Sequence, residues 1–260
     1  MREEYVSKSK KIRLQFAVVA VIALLWELLP RVFDISALVL PPLSQAVLRL
    51  TQPLTGEGTL WQNTVVTLLE MGAAFAIASL LGVSVGVLIG GNPRLTNFFT
   101  PVLLAAFAVP IMVLIPLFLA AFGLGVSSKI AFASLYAFFP VVFNTVVGVS
   151  QVDRLHLAVG EIYGLSSWEV LRKIVLRSAA RDIMNGLQNA VAICMVAVIS
   201  IEMFGATQGL GYLINRAGQR MRIDETYGLI LLVLVLAVAL LGAIKAAGRA
   251  MNVRMEMAIE

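Results

Sequence analysis

The sequence predicts an all-α polytopic membrane protein with six transmembrane helices, on three observations. Hydrophobic residues fill 60% of the 260 positions and charged residues only 13%, about half the charge of an average soluble domain. The mean hydropathy is +0.92. Apolar runs of about 20 residues, the length a helix needs to cross the hydrocarbon of a bilayer, recur along the chain. The basic residues, finally, gather in alternate connections between those runs.

The first span, 14–33, follows the segment 1–13, "MREEYVSKSKKIR", with no small-residue cleavage site, and reads as a retained anchor rather than a signal peptide. The second, 64–91, carries Gly82, Gly86 and Gly90 at four-residue spacing with Ser79 nearby, a ridge that lets helix backbones approach closely. The third, 98–122, holds Pro110 and Pro116 inside "AVPIMVLIPLFLAAFG". Proline removes a backbone donor and kinks a helix. Such a break survives at membrane depth where protein or a water-filled cavity satisfies the freed carbonyls. A packing kink and a kink that lines a pathway both fit. Spans 128–149, 183–204 and 227–247 complete a single transmembrane domain, 14–252. Its longest polar connection is 151–182, and a tail, 253–260, ends the chain. All nine prolines lie between Pro30 and Pro140.

With the N-terminus inside, fourteen of the 20 Lys and Arg residues fall in inner segments. Only Arg31, Arg49, Lys129, Arg216, Arg220 and Arg222 are left for the outer ones. That asymmetry obeys the positive-inside rule and puts both termini, and the connection 151–182, in the cytoplasm. The net charge of +5 is therefore read as topology, not as a nucleic-acid footprint.

Within that connection, "EIYGLSSWEVLRKIVL" places Ile162, Leu165, Trp168, Leu171 and Val175 at helical spacing, with Glu161, Glu169, Arg172 and Lys173 on the other side. Ser166 and Glu169 have the S-x-x-E form of a capping box, and Gly164 sits where a preceding helix ends in a left-handed cap. The pattern is helix, glycine turn, helix.

Several chemistries are excluded. Cys194 is alone, so no internal disulfide forms, and His156 is the only histidine, too few for a metal site. No phosphate-cradling G-x-x-x-x-G-K-[ST], H-E-x-x-H or G-x-S-x-G occurs. Two functions remain: a transport subunit powered by a partner, or an intramembrane enzyme built on Glu70 and Glu202. Intramembrane carboxylates face a bundle interior or cavity. Glu202 falls near the outer end of its span, within reach of Arg216, Arg220 and Arg222. A structural or gating ion pair is the favoured expectation there, with substrate contact as the alternative. Asn63, Asn144, Asn189 and Tyr136 either line a pathway or hydrogen-bond between helices.

Gly164, Ile174 and Leu176 resemble the cytoplasmic E-A-A-x-x-x-G-x(9)-I-x-L-P motif of the permease subunits of ABC importers. "LLWELL", "LVLPPLSQAVLRL", "FGLGVSSKIAFASLYAFFPVVFNTVVGVSQVD" and "EMFGATQGLGYLI" are similar, in the same order, to the nitrate/sulfonate/taurine/bicarbonate branch of that type I family. The resemblance implies coupling helices, around Ala158, Glu161, Gly164, Ser166, Trp168, Ile174 and Leu176, that dock on a separate ATP-binding cassette ATPase. It implies ATP and Mg bound by that partner, with no cofactor in this chain. It also implies a second permease subunit, identical or different, an extracytoplasmic substrate-binding protein, and a bacterial inner membrane. Pro110, Pro116, Asn144 and Glu202 are the pathway or gating candidates, and a small anion is the expected solute. Relatives for vitamins or their precursors supply the alternative, a weakly coupling half of a heterodimer.

The departures fall at the coupling motif and along the pathway. Ala158, Val159 and Gly160 stand where the motif reads E-A-A, and Arg177 where it ends in proline. Glu70 replaces a usual basic residue, and "FAVP", 107–110, an R-P-x-P. Glu161, one helical turn beyond Ala158, either stands in for the missing acid or is a solvated charge while a partner permease couples.

Overall fold

The computed structural model describes residues 8–52 and 58–256; the remainder of the expected terminal segments, 1–7 and 257–260, lies outside the described residues. Among the described residues all regular structure is helical. The order is α1 (Lys8–Val32), α2 (Leu43–Arg49), α3 (Leu60–Gly90), α4 (Pro93–Phe107), α5 (Ile111–Phe122), α6 (Val126–Ser150) and α7 (Arg154–Ile162). There follow α8 (Ser167–Val170), a π-helical turn (Leu171–Val175), α9 (Leu176–Ser178), α10 (Ala180–Gly205), α11 (Leu210–Gln219) and α12 (Ile223–Glu256).

Five helices, α1, α3, α6, α10 and α12, are long and apolar enough to cross a membrane. A pair, α4 and α5, bent by 90°, passes the same length and composition test only when taken together, which makes six crossings if the pair is one span. The kink expected within the third span, 98–122, is thus a bend between two separate helices. At 1.5 Å per residue α4 and α5 are about 22 Å and about 18 Å long, each short of hydrocarbon ~30 Å thick. The cause is Pro110, which is not inside a helix but caps α5 from before its first turn. Proline has no N–H to give and pushes the preceding residue, Val109, out of helical geometry. The Val109 carbonyl left over at the bend accepts the Tyr136 hydroxyl of α6 at 2.9 Å. Pro116 lies inside α5 on its exposed face and does not break it.

The glycine ridge behaves as the sequence predicts. Gly82, Gly86 and Gly90 of α3 face Val141, Thr145 and Val149 of α6 in matched register. A Cβ at Gly82 would stand 2.6 Å from the Cβ of Val141. On its other side α6 meets α10, where Gly186 lies against Asn144 and the Pro140 carbonyl. Phe132, Val141, Val198 and Ile201 are sealed in the core between them. The middle helix α6 is the most enclosed of the spans, and α1 the least. Described contacts fix α1 at one end only: Trp26 Nε1 donates to the Pro41 carbonyl at 3.0 Å, and Glu27 accepts from the Ser44 amide at 2.9 Å.

Two of the six basic residues assigned to outer segments are buried. Lys129 is inside α6, and its Nζ lies 2.6 Å from Glu70 Oε1, both side chains buried. Arg49 ends α2 and is buried against Glu225 at 2.8 Å, with Asp224 at 3.6 Å. A buried cation is rare unless paired, and a period-blind charge count cannot see the pairing.

Candidate functional site

At one end of the bundle the chain between α6 and α10 folds back on itself. Asp153 caps α7 by accepting from the Leu155 amide at 2.9 Å. The helix stops in a Schellman turn: the Gly164 amide bonds to the Glu161 carbonyl at 2.9 Å and the Leu165 amide to the Gly160 carbonyl at 3.0 Å. Gly164 supplies the required left-handed residue, φ +67°. Two residues later Ser166 and Glu169 form the expected capping box of α8. The Ser166 amide donates to Glu169 Oε2 at 3.1 Å, and Lys173 donates to Glu169 Oε1 at 2.8 Å. The Lys173 ammonium, helped by the Ser166 amide, holds the Glu169 carboxyl down at about 2.

The two arms close through Gly160. A Cβ there would stand 2.8 Å from Ile174 Cδ1 and 3.3 Å from Val170 Cγ2. The glycine at the third E-A-A position is thus a contact point, and Ile174 fills the space it leaves. The expected turn at Gly164 divides the stripe 162–175 between two arms. Leu165, Leu171, Ile174, Val175 and Leu176 face inward, half-buried, whereas Ile162 and Trp168 point outward. With Leu155, Val159 and Tyr163 they make an exposed apolar face, Ile162 being 81% exposed and Tyr163 79%. Positions 155, 159, 162 and 163 are one side of α7, at a helical spacing legible in the sequence. Ala158 and Glu161 are exposed beside this face, and Arg172, Lys173 and Arg177 line a basic hollow next to it.

The opposite end holds a buried polar network that includes two of the sequence candidates, Glu202 and Asn63. Thr67 donates to Glu202 Oε1 at 2.7 Å, and the Gly211 amide to Oε2 at 2.7 Å. The Leu210 amide donates to Thr67 Oγ1 at 2.8 Å, and the Gly209 amide to Asn63 Oδ1 at 2.7 Å. Three side chains from α3 and α10 thus take the free amides at the N-terminus of α11, where the helix dipole favours a carboxylate. Gly209, φ +113°, has no room for a Cβ because the Glu202 carboxyl occupies it. The expected ion pair between Glu202 and the arginines of 216–222 is not formed among the described residues: Glu202 anchors a loop instead. Asn144 donates to the Pro140 carbonyl of its own helix at 2.8 Å. Asn63 thus bonds between helices, while Tyr136 meets the bend at Val109.

A family model described as "Binding-protein-dependent transport system inner membrane component" matches residues 78–254. The chain belongs to that family. The permease is 28% identical over 233 residues to the taurine transport system permease protein TauC of Escherichia coli, covering 88% of this chain and 85% of that one. It is 29% identical over 217 residues to a putative aliphatic sulfonates transport permease protein, SsuC, of Bacillus subtilis, covering 83% and 78%. Among solved structures it matches a chain of the inward-facing MetNI methionine ABC transporter with TM-score 0.58 at 20% identity, covering 74% of this chain and 94% of that one. The last likeness is one of fold. The permease is a transmembrane translocation subunit of an ABC importer and not itself an enzyme. In keeping with that, Glu70 and Glu202 are engaged by Lys129, Thr67 and Gly211. Among the described residues no cluster of three His, Cys, Asp or Glu side chains is present that would hold a metal.

Proposed function

We propose that the α7–α9 hairpin couples the permease to a separate ATPase, and that the imported solute is a small anion of the sulfonate kind. The observation that carries the coupling is the exposed apolar face of Leu155, Val159, Ile162, Tyr163 and Trp168 with its basic rim. Glu161 and Ala158 flank it, while Gly164, Ser166, Ile174 and Leu176 hold it in shape. ATP and Mg belong to that ATPase. A second permease subunit and an extracytoplasmic binding protein complete the assembly in the inner membrane, with the hairpin and both termini cytoplasmic. The names of the relatives, taurine and aliphatic sulfonates, support the anion. The bend at Pro110, with Pro116 and Asn144 along the neighbouring helices, borders the pathway, and Glu202 steadies its far end.

The test is labelling and reconstitution. A cysteine at Ser167 reacts only from the cytoplasmic side and one at Gln208 only from outside; labelling of Ser167 from outside overturns the orientation. The permease co-purifies with its ATPase, and a taurine- or sulfonate-loaded binding protein stimulates hydrolysis in vesicles. An ATPase that stays bound after Ile162→Asp and Tyr163→Asp overturns the docking face.

A further inference from the structure

At the same end of the bundle as the hairpin, but on another side, α10 and α12 part to leave a cleft of about 520 Å³. Its α10 wall is Arg181, Met184, Asn185 and Gln188, one face of that helix, and its α12 wall is Lys245, Gly248 and Arg249. The floor is the contact of Met184 with Gly248, where a Cβ would stand 2.8 Å from Met184 Cγ. Three cations and two amides converge there, and no carboxylate lines the cleft among the described residues. None of Arg181, Lys245 and Arg249 joins a salt bridge among the described residues. Asp182, the nearest acid in sequence, turns to α6, where its Cβ faces Gly148.

Depth decides what such a cleft meets. The apolar part of α12 begins near Tyr227, and Lys245 follows 18 residues later, about 27 Å along the axis. Arg181 is one residue into α10, about 36 Å from Gly205 at its other end. Both distances match hydrocarbon ~30 Å thick, so the cations sit at the level of the lipid headgroups.

We propose that this cleft is a binding site for a phosphate-bearing anion, the headgroup of an acidic membrane phospholipid. The two guanidinium groups present paired donors to phosphate oxygens, the Lys245 ammonium adds a point charge, and Asn185 and Gln188 donate to the ester or glycerol oxygens. Lipid chains would run along the apolar flank of α12, where Leu234, Val235 and Val238 are exposed. A basic recess between helices at this depth is the kind of surface that retains acidic lipid.

The whole permease, purified with its partners and passed through nanodiscs of mixed phosphatidylglycerol and phosphatidylcholine, is read by native mass spectrometry for retained lipid. Wild type keeps phosphatidylglycerol in preference to phosphatidylcholine. Each of Arg181→Gln, Lys245→Gln and Arg249→Gln weakens that retention about fivefold, and the three together abolish the preference. Arg94→Gln, outside the cleft, leaves it intact. Displacement by millimolar inorganic phosphate would assign the same site to a soluble phosphate instead of a lipid. Equal retention of the two lipids by wild type without phosphate binding, or an unchanged preference in all three single variants, overturns the site. The single variants keep the test valid if the triple one does not fold.

Discussion

Lys129 Nζ sits 2.6 Å from Glu70 Oε1, both side chains shut away between α6 and α3, while Glu70 Oε2 finds no partner among the described residues. Breaking such a pair from one side strands a charge. Lys129→Met alone is expected to lower permease stability by about 3–5 kcal/mol, whereas Glu70→Leu with Lys129→Met recovers most of the loss. Thermal unfolding in detergent measures both. A single variant as stable as wild type would show that the pair is not a structural tie.

The second prediction concerns Gly164. A Cβ there meets nothing within 4 Å, so its φ of +67° is the whole constraint. Gly164→Val should strain the Schellman turn by about 1–2 kcal/mol, whereas Gly164→Asn, which visits this region readily, should not. Co-purification of the ATPase reads the difference: Val weakens it, Asn keeps it, and membrane insertion is unchanged in both. Equal association of the two variants would dissociate turn geometry from docking.

Glu161 tests the missing acid. It is exposed on the same side of α7 as Ala158, one turn on. If it meets a basic group in the ATPase groove, Glu161→Lys abolishes substrate-stimulated hydrolysis, because reversing one partner of a desolvated pair costs about 2–5 kcal/mol. Full hydrolysis by that variant assigns Glu161 to solvent and the coupling to a partner permease.

The capping box has a pH signature. The Glu169 carboxyl, bonded by Lys173 and the Ser166 amide, lies at about 2 against an ordinary 4.5. A depressed carboxylate contributes its stabilisation above the ordinary value and loses it as pH falls between about 4.5 and about 2. The side-chain carbon of labelled Glu169 should titrate near the lower value, and Lys173→Met should move the midpoint up. A midpoint already at the ordinary value would remove the lysine from the box.

Periodicity and punctuation made much of this fold readable. The long spans, the glycines at 82, 86 and 90, the turn at Gly164 and the box at Ser166 all depend on neighbours a few residues away, which a sequence displays directly. The partners of Lys129, Arg49 and Glu202 lie 59, 176 and 135 residues distant, and only the folded chain brings them together. Glu202 was expected to seek an arginine because charge is the visible cue. It accepts instead from the Thr67 hydroxyl and the Gly211 amide, and that amide is free because α11 begins at Leu210. The proline at 110 marks the break in the third span, but hydropathy is blind to direction, so the 90° size of the bend is visible only in the folded chain.

The ridge of three glycines has a mechanical consequence. With β-branched residues seated in each notch, α3 cannot slip lengthwise on α6 by half a helical turn without driving a methyl group into main chain. The two helices form a strut, stiff against sliding. Any alternation of the pathway between its two faces therefore has to come from tilting this strut as a whole and from the swing of α5 at Val109, the joint that Tyr136 pins.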